Sequence, residues 1–221
     1  MAVTLAFDVY GTLINTHGVV AILTQWIGSR ASAFSGTWRE KQLEYAFRRG
    51  LMQKYQPFSR CTYDALEYTC RFYRIQLSEE QKKRVIDSYL TLPDFDDVKP
   101  ALAALHKRKI QMVAFSNGEE KAVESLLRHV GIQHYFEGIV SCDNIMTFKP
   151  NPAVYSYLIR ETHSPAKNLW LVSSNPFDII GGLSSGLQAV WVKRSPEAVF
   201  DPWGLEPTKT VTDLRGLDSI G

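Results

Sequence analysis

Residues 5–13 read Leu5-Ala6-Phe7-Asp8-Val9-Tyr10-Gly11-Thr12-Leu13, an apolar run that ends in a carboxylate followed by a Tyr-Gly-Thr turn. An uninterrupted apolar strand suits the centre of a parallel sheet, where both faces are covered. In open sheets of that kind ligands bind just past the carboxyl ends of the strands, which is where Asp8 stands. Asp8 is therefore the candidate covalent nucleophile. Tyr10 is equally informative, because a phosphoryl-transfer enzyme of similar build would place a second Asp there as proton donor.

Outward from this strand, further apolar runs recur at 110–116, 138–142, 168–174 and 189–193, with helical patterns at 119–131, 151–162 and 176–186 between them. That alternation predicts an α/β fold, a doubly wound Rossmann-like parallel sheet. Asn151-Pro152 and Asn175-Pro176 place Pro at helix starts, and Gly131 and Gly186 fall where helices should stop. The stretch 17–93 breaks the rhythm, with helical patterns near 18–27, 34–54, 60–74 and 78–91 and no convincing strand. It predicts a helical cap inserted after the first strand, over a catalytic core made of 1–16 and 94–221. The tail from about 196, with Pro196, Pro202 and Pro207, is predicted to be loop-rich and on the surface.

The chain has 221 residues, 45% of them hydrophobic, enough for a real core with an insertion. With 25 basic and 23 acidic residues the net charge is +2, which offers no field for nucleic acid or an anionic membrane. Cys61, Cys70 and Cys142 are odd in number and match no metal-ligand spacing. They predict reduced thiols in a cytoplasmic protein. Asp8 comes before any signal-peptide core could form, and no membrane-length apolar run follows. The five histidines are scattered without a partner motif, and none is assigned to catalysis.

If the core is a parallel sheet, polar residues should gather at its strand ends. Three further segments fit: Ser116-Asn117-Gly118, Lys149 before Pro150, and Ser173-Ser174-Asn175-Pro176-Phe177-Asp178. Alone, each reads as ordinary turn or helix-cap chemistry. Together, Asp8, Ser116, Lys149 and Asp178 each close a different predicted strand, which points to one shared site.

These segments, in this order, resemble the motifs of the haloacid dehalogenase superfamily. With Tyr155 and the string Trp38-Arg39-Glu40-Lys41-Gln42-Leu43-Glu44-Tyr45 added, the chain resembles more narrowly the L-2-haloacid dehalogenases, over nearly its whole length. The resemblance implies a metal-independent hydrolase without cofactor whose partner is a small-molecule halogenated carboxylic acid, a short (S)-2-haloalkanoic acid. Asp8 would displace halide at carbon, and water would cleave the aspartyl ester to release an (R)-2-hydroxy acid. Arg39 would receive the halide, with Tyr10, Asn175 and Phe177 shaping the halide and alkyl surroundings. Ser116 and Asn117 would hold the substrate carboxylate, and Lys149 would offset charge. Tyr155 and Ser173 would orient Lys149 and Asp178, and Thr12 would hydrogen-bond near Asp8. Asp178, with Asn175, would activate the hydrolytic water, and Leu43 and Phe58 would line the pocket. A homodimer is also implied, and Trp38, Tyr45, Phe47 and Leu51 predict more apolar surface than a small cap can bury. Two positions depart from the pattern: Glu40 replaces a familiar amide, and Phe177 a larger indole, which predicts a wider pocket.

Two alternatives fit fewer residues. A Mg²⁺-dependent phosphatase or phosphonate hydrolase needs anionic oxygen ligands for its hard cation, yet Ser173 and Asn175 stand where acids would serve. It also needs an acid for its leaving alcohol, and Tyr10, with an ordinary pKa near ~10, is a poor one. A halide leaves unprotonated. A non-catalytic ligand-binding module would be marked by loss of Asp8, Lys149 or Asp178, and all three are present.

Overall fold

The computed structural model describes residues 3–220. Among them the strands are β1 (Thr4–Asp8), β2 (Gln111–Ser116), β3 (Gly138–Ser141), β4 (Leu169–Ser173), β5 (Gln188–Val192) and β6 (Lys209–Val211). They form one sheet in the order β3-β2-β1-β4-β5-β6, and every pairing is parallel. The chain winds outward from β1 through β2 to β3, then returns to the other side of β1 with β4. That reversal opens a crevice between the carboxyl ends of β1 and β4, the place where doubly wound sheets bind ligands. Asp8 ends one of these strands and Ser173 the other.

Side-chain alternation along the strands sets the layers. Leu5, Phe7, Met112, Ala114 and Val172 share a core with the helices we number α5 (Val98–Lys107) and α6 (Glu120–His129), counting the four that precede them. Ala6, Val113, Phe115 and Leu171 face α7 (Pro152–Thr162) instead, and α8 (Pro176–Ser184) sets Ile179 on Ala189 and Trp191. Asn151 caps α7 by accepting from the Ala153 amide, with Pro152 in the first turn. Gly131 and Gly186 take φ of +76° and +82° just past α6 and α8, the left-handed stops expected of them.

Between β1 and α5 lie α1 (Val19–Ile27), α2 (Ala31–Leu51), α3 (Phe58–Tyr73) and α4 (Glu79–Asp87). The chain leaves and re-enters the sheet side by side, with Asn15 N donating to Pro93 O at 2.8 Å and Phe95 N to Leu13 O at 3.2 Å. A capping box of Ser78 and Gln81 starts α4, which stops at Asp87 and continues to Thr91 only as a 3-10 turn. The expectation that Trp38 adds exposed apolar surface is corrected. Trp38 is fully buried in the α2–α3 seam, where its Nε1 donates to Thr62 O at 2.9 Å and its ring meets Tyr89 edge-on. Tyr45 and Phe47 are half-buried, and Leu51 alone of the four is open, at 88% exposure.

The tail is also corrected. Lys209–Val211 pairs with β5 as a sixth strand, and Leu214, Leu217 and Ile220 in and after the following 3-10 turn pack into the core beside α5. All three cysteines are free and buried. No helix among the described residues is long and apolar enough to cross a membrane.

Candidate active site

The loop after β1 is a tight coil in which the Val9 carbonyl accepts the amides of Thr12, Leu13 and Ile14. Gly11 makes this coil possible with φ +89°, and a Cβ there would press on Ser174 Oγ at 3.4 Å. The coil turns Thr12 back on Asp8. Asp8 Oδ2 accepts from Thr12 Oγ1 at 2.8 Å, Asn175 Nδ2 at 2.8 Å and Ser173 Oγ at 3.2 Å. Asp8 Oδ1 accepts from Lys149 Nζ at 3.1 Å. Asn175 precedes Pro176 as a helix cap would, yet makes no cap bond, because its amide is directed to Asp8.

Lys149 is buried between two carboxylates. Its Nζ also donates to Asp178 Oδ2 at 2.8 Å and to the Phe115 carbonyl at 2.9 Å, and lies 4.0 Å from the centre of the Phe115 ring. Burial alone would pull this ammonium down, but the charges of Asp178 and Asp8 outweigh burial and lift its pKa to about 12. Asp178 is fully buried, and Tyr155 Oη donates to its Oδ1 at 2.9 Å. Burial raises the Asp178 pKa and Lys149 opposes that rise, while the nearby Asp8 adds to it.

Arg39 reaches down from α2. Its guanidinium donates to Gln42 Oε1 at 2.6 Å and to the Tyr10 carbonyl at 3.3 Å. Burial lowers its pKa, with Tyr89, Asp8 and Tyr10 pulling the other way, and a guanidinium starts high enough to stay charged. Tyr10 is buried against Phe58 and Tyr89, and its phenol is pushed well above its ordinary value by burial and by Glu119. It is a neutral wall, not an acid. Beside it Tyr10, Phe58, Thr62, Ile86, Tyr89 and Glu119 enclose a cavity of about 150 Å³, below the ~300–1,000 Å³ of drug-sized sites.

The sequence pattern of the family described as haloacid dehalogenase-like hydrolase matches residues 3–186. The chain belongs to this family. It is 35% identical to the haloacetate dehalogenase H-2 of Moraxella sp. (strain B), over 96% of this chain and 95% of that one. It is 32% identical to the (S)-2-haloacid dehalogenase 2 of Pseudomonas sp. (strain CBS-3), over 97% and 93%. Among solved structures, an L-2-haloacid dehalogenase from Xanthobacter autotrophicus with chloropropionic acid covalently bound superposes with a TM-score of 0.92. It is 26% identical, with 99% of this chain and 97% of that one covered.

Within the haloacid dehalogenase-like framework, the structure brings Asp8, Thr12, Lys149, Tyr155, Ser173, Asn175 and Asp178 into one hydrogen-bonded cluster. Some partners differ from those expected. Ser173 bonds to Asp8, and its Oγ accepts from Asn175 N; it does not bond to Lys149 or Asp178. Ser116 Oγ accepts from Gly118 N at 3.0 Å, and Asn117 Oδ1 accepts from Lys149 N at 2.9 Å, so both side chains brace the turn. Leu43 is half-buried one turn beyond Arg39 on α2. Phe177 meets Phe47 of α2 edge-on at 4.9 Å, and the two rings line a cavity of about 590 Å³ together with Phe148, Lys149 and Trp203. Glu40 is exposed.

Sequence reasoning missed three supports. Gln42 holds Arg39 from i+3, a spacing that could have marked it. Ser174 bonds to both Gly11 O and Thr12 Oγ1 through its side chain and amide. Glu119, beside the Ser-Asn-Gly turn, accepts from Ser59 Oγ at 2.5 Å and so ties α3 to the sheet.

Proposed function

We propose that this chain is a metal-independent (S)-2-haloacid dehalogenase acting on short 2-haloalkanoic acids, with Asp8 as nucleophile. The observation that carries the reading is the unequal treatment of the two Asp8 oxygens. Oδ2 is held by three donors, whereas Oδ1 meets Lys149 alone. Oδ1 keeps the freer lone pairs and attacks the halogen-bearing carbon; the C–O bond forms as the carbon–halogen bond breaks, inverting the centre. Halide leaves with the bonding pair toward Arg39, whose charge suits a weakly hydrated anion. Ser116, Asn117 and the backbone amides of their turn receive the substrate carboxylate, while Tyr10, Leu43, Phe58 and Phe177 shape the alkyl space.

Oδ2 is then the ester carbonyl oxygen. Thr12, Ser173 and Asn175 are already aimed at the oxygen that gains negative charge when water adds to the Asp8 carbonyl carbon. Asp178, with its pKa raised by burial, takes the water proton, and Tyr155 and Lys149 hold it in place. Collapse of the adduct breaks the bond between the Asp8 carboxyl carbon and Oδ1. The departing alkoxide takes back the proton held by Asp178 and leaves as the (R)-2-hydroxy acid, and Asp8 returns to a carboxylate by losing the second proton of the water. Residues 17–93 act as a cap over a core of 1–16 and 94–221, with Arg39 brought in from the cap.

The phosphatase reading gains no support from the donor set. Each oxygen of Asp8 and of Asp178 already accepts from protein donors, Lys149 between them, which leaves a hard cation few free anionic ligands. The test is halide release from each enantiomer of 2-chloropropanoate in excess chelator. Release from the S enantiomer, lost in Asp8→Asn, is expected. Release from the R enantiomer alone, or turnover only of phosphate esters with Mg²⁺, would overturn the proposal.

A further inference from the structure

The Thr12 hydroxyl that donates to Asp8 belongs to a residue whose carbonyl is gripped from the opposite end of the chain. Arg194, just past β5, donates from one guanidinium nitrogen to Thr12 O at 2.5 Å and from another to Asp97 Oδ1 at 2.7 Å. Asp97 is buried at the start of α5, and its Oδ2 accepts from Leu214 N at 2.6 Å, the residue that opens the C-terminal 3-10 turn. The Arg194 guanidinium also lies 4.1 Å from the centre of the Phe95 ring, and Phe95 N donates to Leu13 O in the same loop. Neither Arg194 nor Asp97 hydrogen-bonds to Asp8, Lys149, Asn175 or Arg39 among the described residues.

We infer that Arg194 and Asp97 are positioning residues, a part-buried ion pair through which the C-terminal segment holds the Thr12 carbonyl and so keeps the Thr12 hydroxyl on Asp8 Oδ2. Asp8 ends a strand that its parallel neighbours fix, and the coil from Val9 to Ile14 is held from outside by Ser174 at Gly11 and the Thr12 hydroxyl, by Arg39 at Tyr10 and by Phe95 at Leu13, but among the described residues the Thr12 carbonyl accepts from Arg194 alone. The Ser174 amide orients that hydroxyl from one side, and the Thr12 carbonyl needs a donor of its own to fix the backbone that carries it. The planar guanidinium fork supplies one, because it can serve two acceptors in fixed geometry. A lysine at this position reaches only one of them. The catalytic side of the inference rests on the dehalogenase reading; the anchoring itself does not.

The experiment compares Arg194→Ala, Arg194→Lys and Asp97→Asn with Leu217→Ala, which removes core packing in the tail and leaves the ion pair in place. For (S)-2-chloropropanoate, Arg194→Ala should lower kcat at least tenfold with KM within twofold. Arg194→Lys should recover part of that loss, and Leu217→Ala should keep kcat within twofold at a temperature where all variants are folded. Amide hydrogen exchange across residues 9–14 should quicken in Arg194→Ala and Asp97→Asn but not in Leu217→Ala. Unchanged exchange in that loop, or an equal kcat loss in Leu217→Ala, overturns the inference. If the wild-type chain releases no halide at all, the functional reading fails on its own, and the exchange data still decide the anchoring.

Discussion

Replacing Lys149 with Met removes the single cation that separates two buried carboxylates while roughly keeping the side chain's volume. Lys149 Nζ lies 3.1 Å from Asp8 and 2.8 Å from Asp178, all three side chains being nearly or wholly sequestered from solvent. Removing one partner of a buried pair costs about 3–5 kcal/mol, because the other charge is left uncompensated. For a chain of this length each kcal/mol moves the melting temperature by about 2–4 °C, so Lys149→Met should melt at least about 6 °C below wild type near pH 8. The sign of the pH dependence follows from Asp178, which burial already raises and which Lys149 restrains. Without the lysine its folded pKa rises further above the unfolded value. The protonated form then carries stability that is present at low pH and lost as pH rises through the folded pKa. The deficit of the variant should therefore be small near pH 5 and large near pH 8. In wild type Lys149 itself sets an alkaline limit of the same sign. Its pKa is raised from 10.5 to about 12, so its contribution, about 2 kcal/mol, is present below 10.5 and lost as pH climbs through 12. Thermal denaturation of both proteins across this range is the assay. A variant deficit under about 1 kcal/mol at pH 8, or one that does not change between pH 5 and pH 8, would refute the reasoning.

Other substitutions test separate parts of the site. Asn175→Ala removes one of three donors to Asp8 Oδ2 and should slow turnover on the order of 100-fold, as loss of an oxyanion donor does; steady-state halide release reads this directly. Gly181→Ala would drive a Cβ into the Tyr155 hydroxyl, displacing the donor to Asp178 and costing about 1–3 kcal/mol of stability by overpacking. Rapid-quench kinetics should then show ester building up ahead of its hydrolysis. Arg39→Lys cannot keep both the Gln42 and Tyr10 contacts and should lower kcat/KM at least about tenfold, ~1.4 kcal/mol, with chloride and bromide substrates compared in the same assay.

The sheet was legible because β1, β2 and β4 are buried on both faces and so read as continuous apolar runs, with their functional residues at the ends. Lys149 and Asp178 are expected from the sequence to close two strands, and that placing is corrected: Lys149 stands in the loop well past the end of β3 at Ser141, and Asp178 in the first turn of α8, so their contact was not legible in the sequence. What escaped had physical reasons. β6 is three residues, Lys209-Thr210-Val211, too short for any period to emerge, and its partner β5 covers one edge only. Trp38 looked like spare surface because α2 buries polar Ser35 and Gln42 on its inner face as well, which blurs the apolar stripe that would have placed it. The resemblance implies that Ser173, with Tyr155, orients Lys149 and Asp178. In the fold it ends the strand beside β1 and faces Asp8 instead. Arg194 and Asp97 are separated by 97 positions and share no motif, so only the folded chain brings them onto Thr12.

The central claim is that the oxygen delivered to the product comes from Asp8, not directly from water. It is tested most directly by one turnover of enzyme in excess over (S)-2-chloropropanoate in heavy-oxygen water, followed by mass spectrometry of the Asp8 peptide and of the 2-hydroxy acid. The account predicts heavy oxygen in the Asp8 carboxylate and ordinary oxygen in the product. Heavy oxygen in the product with Asp8 unlabelled would contradict it.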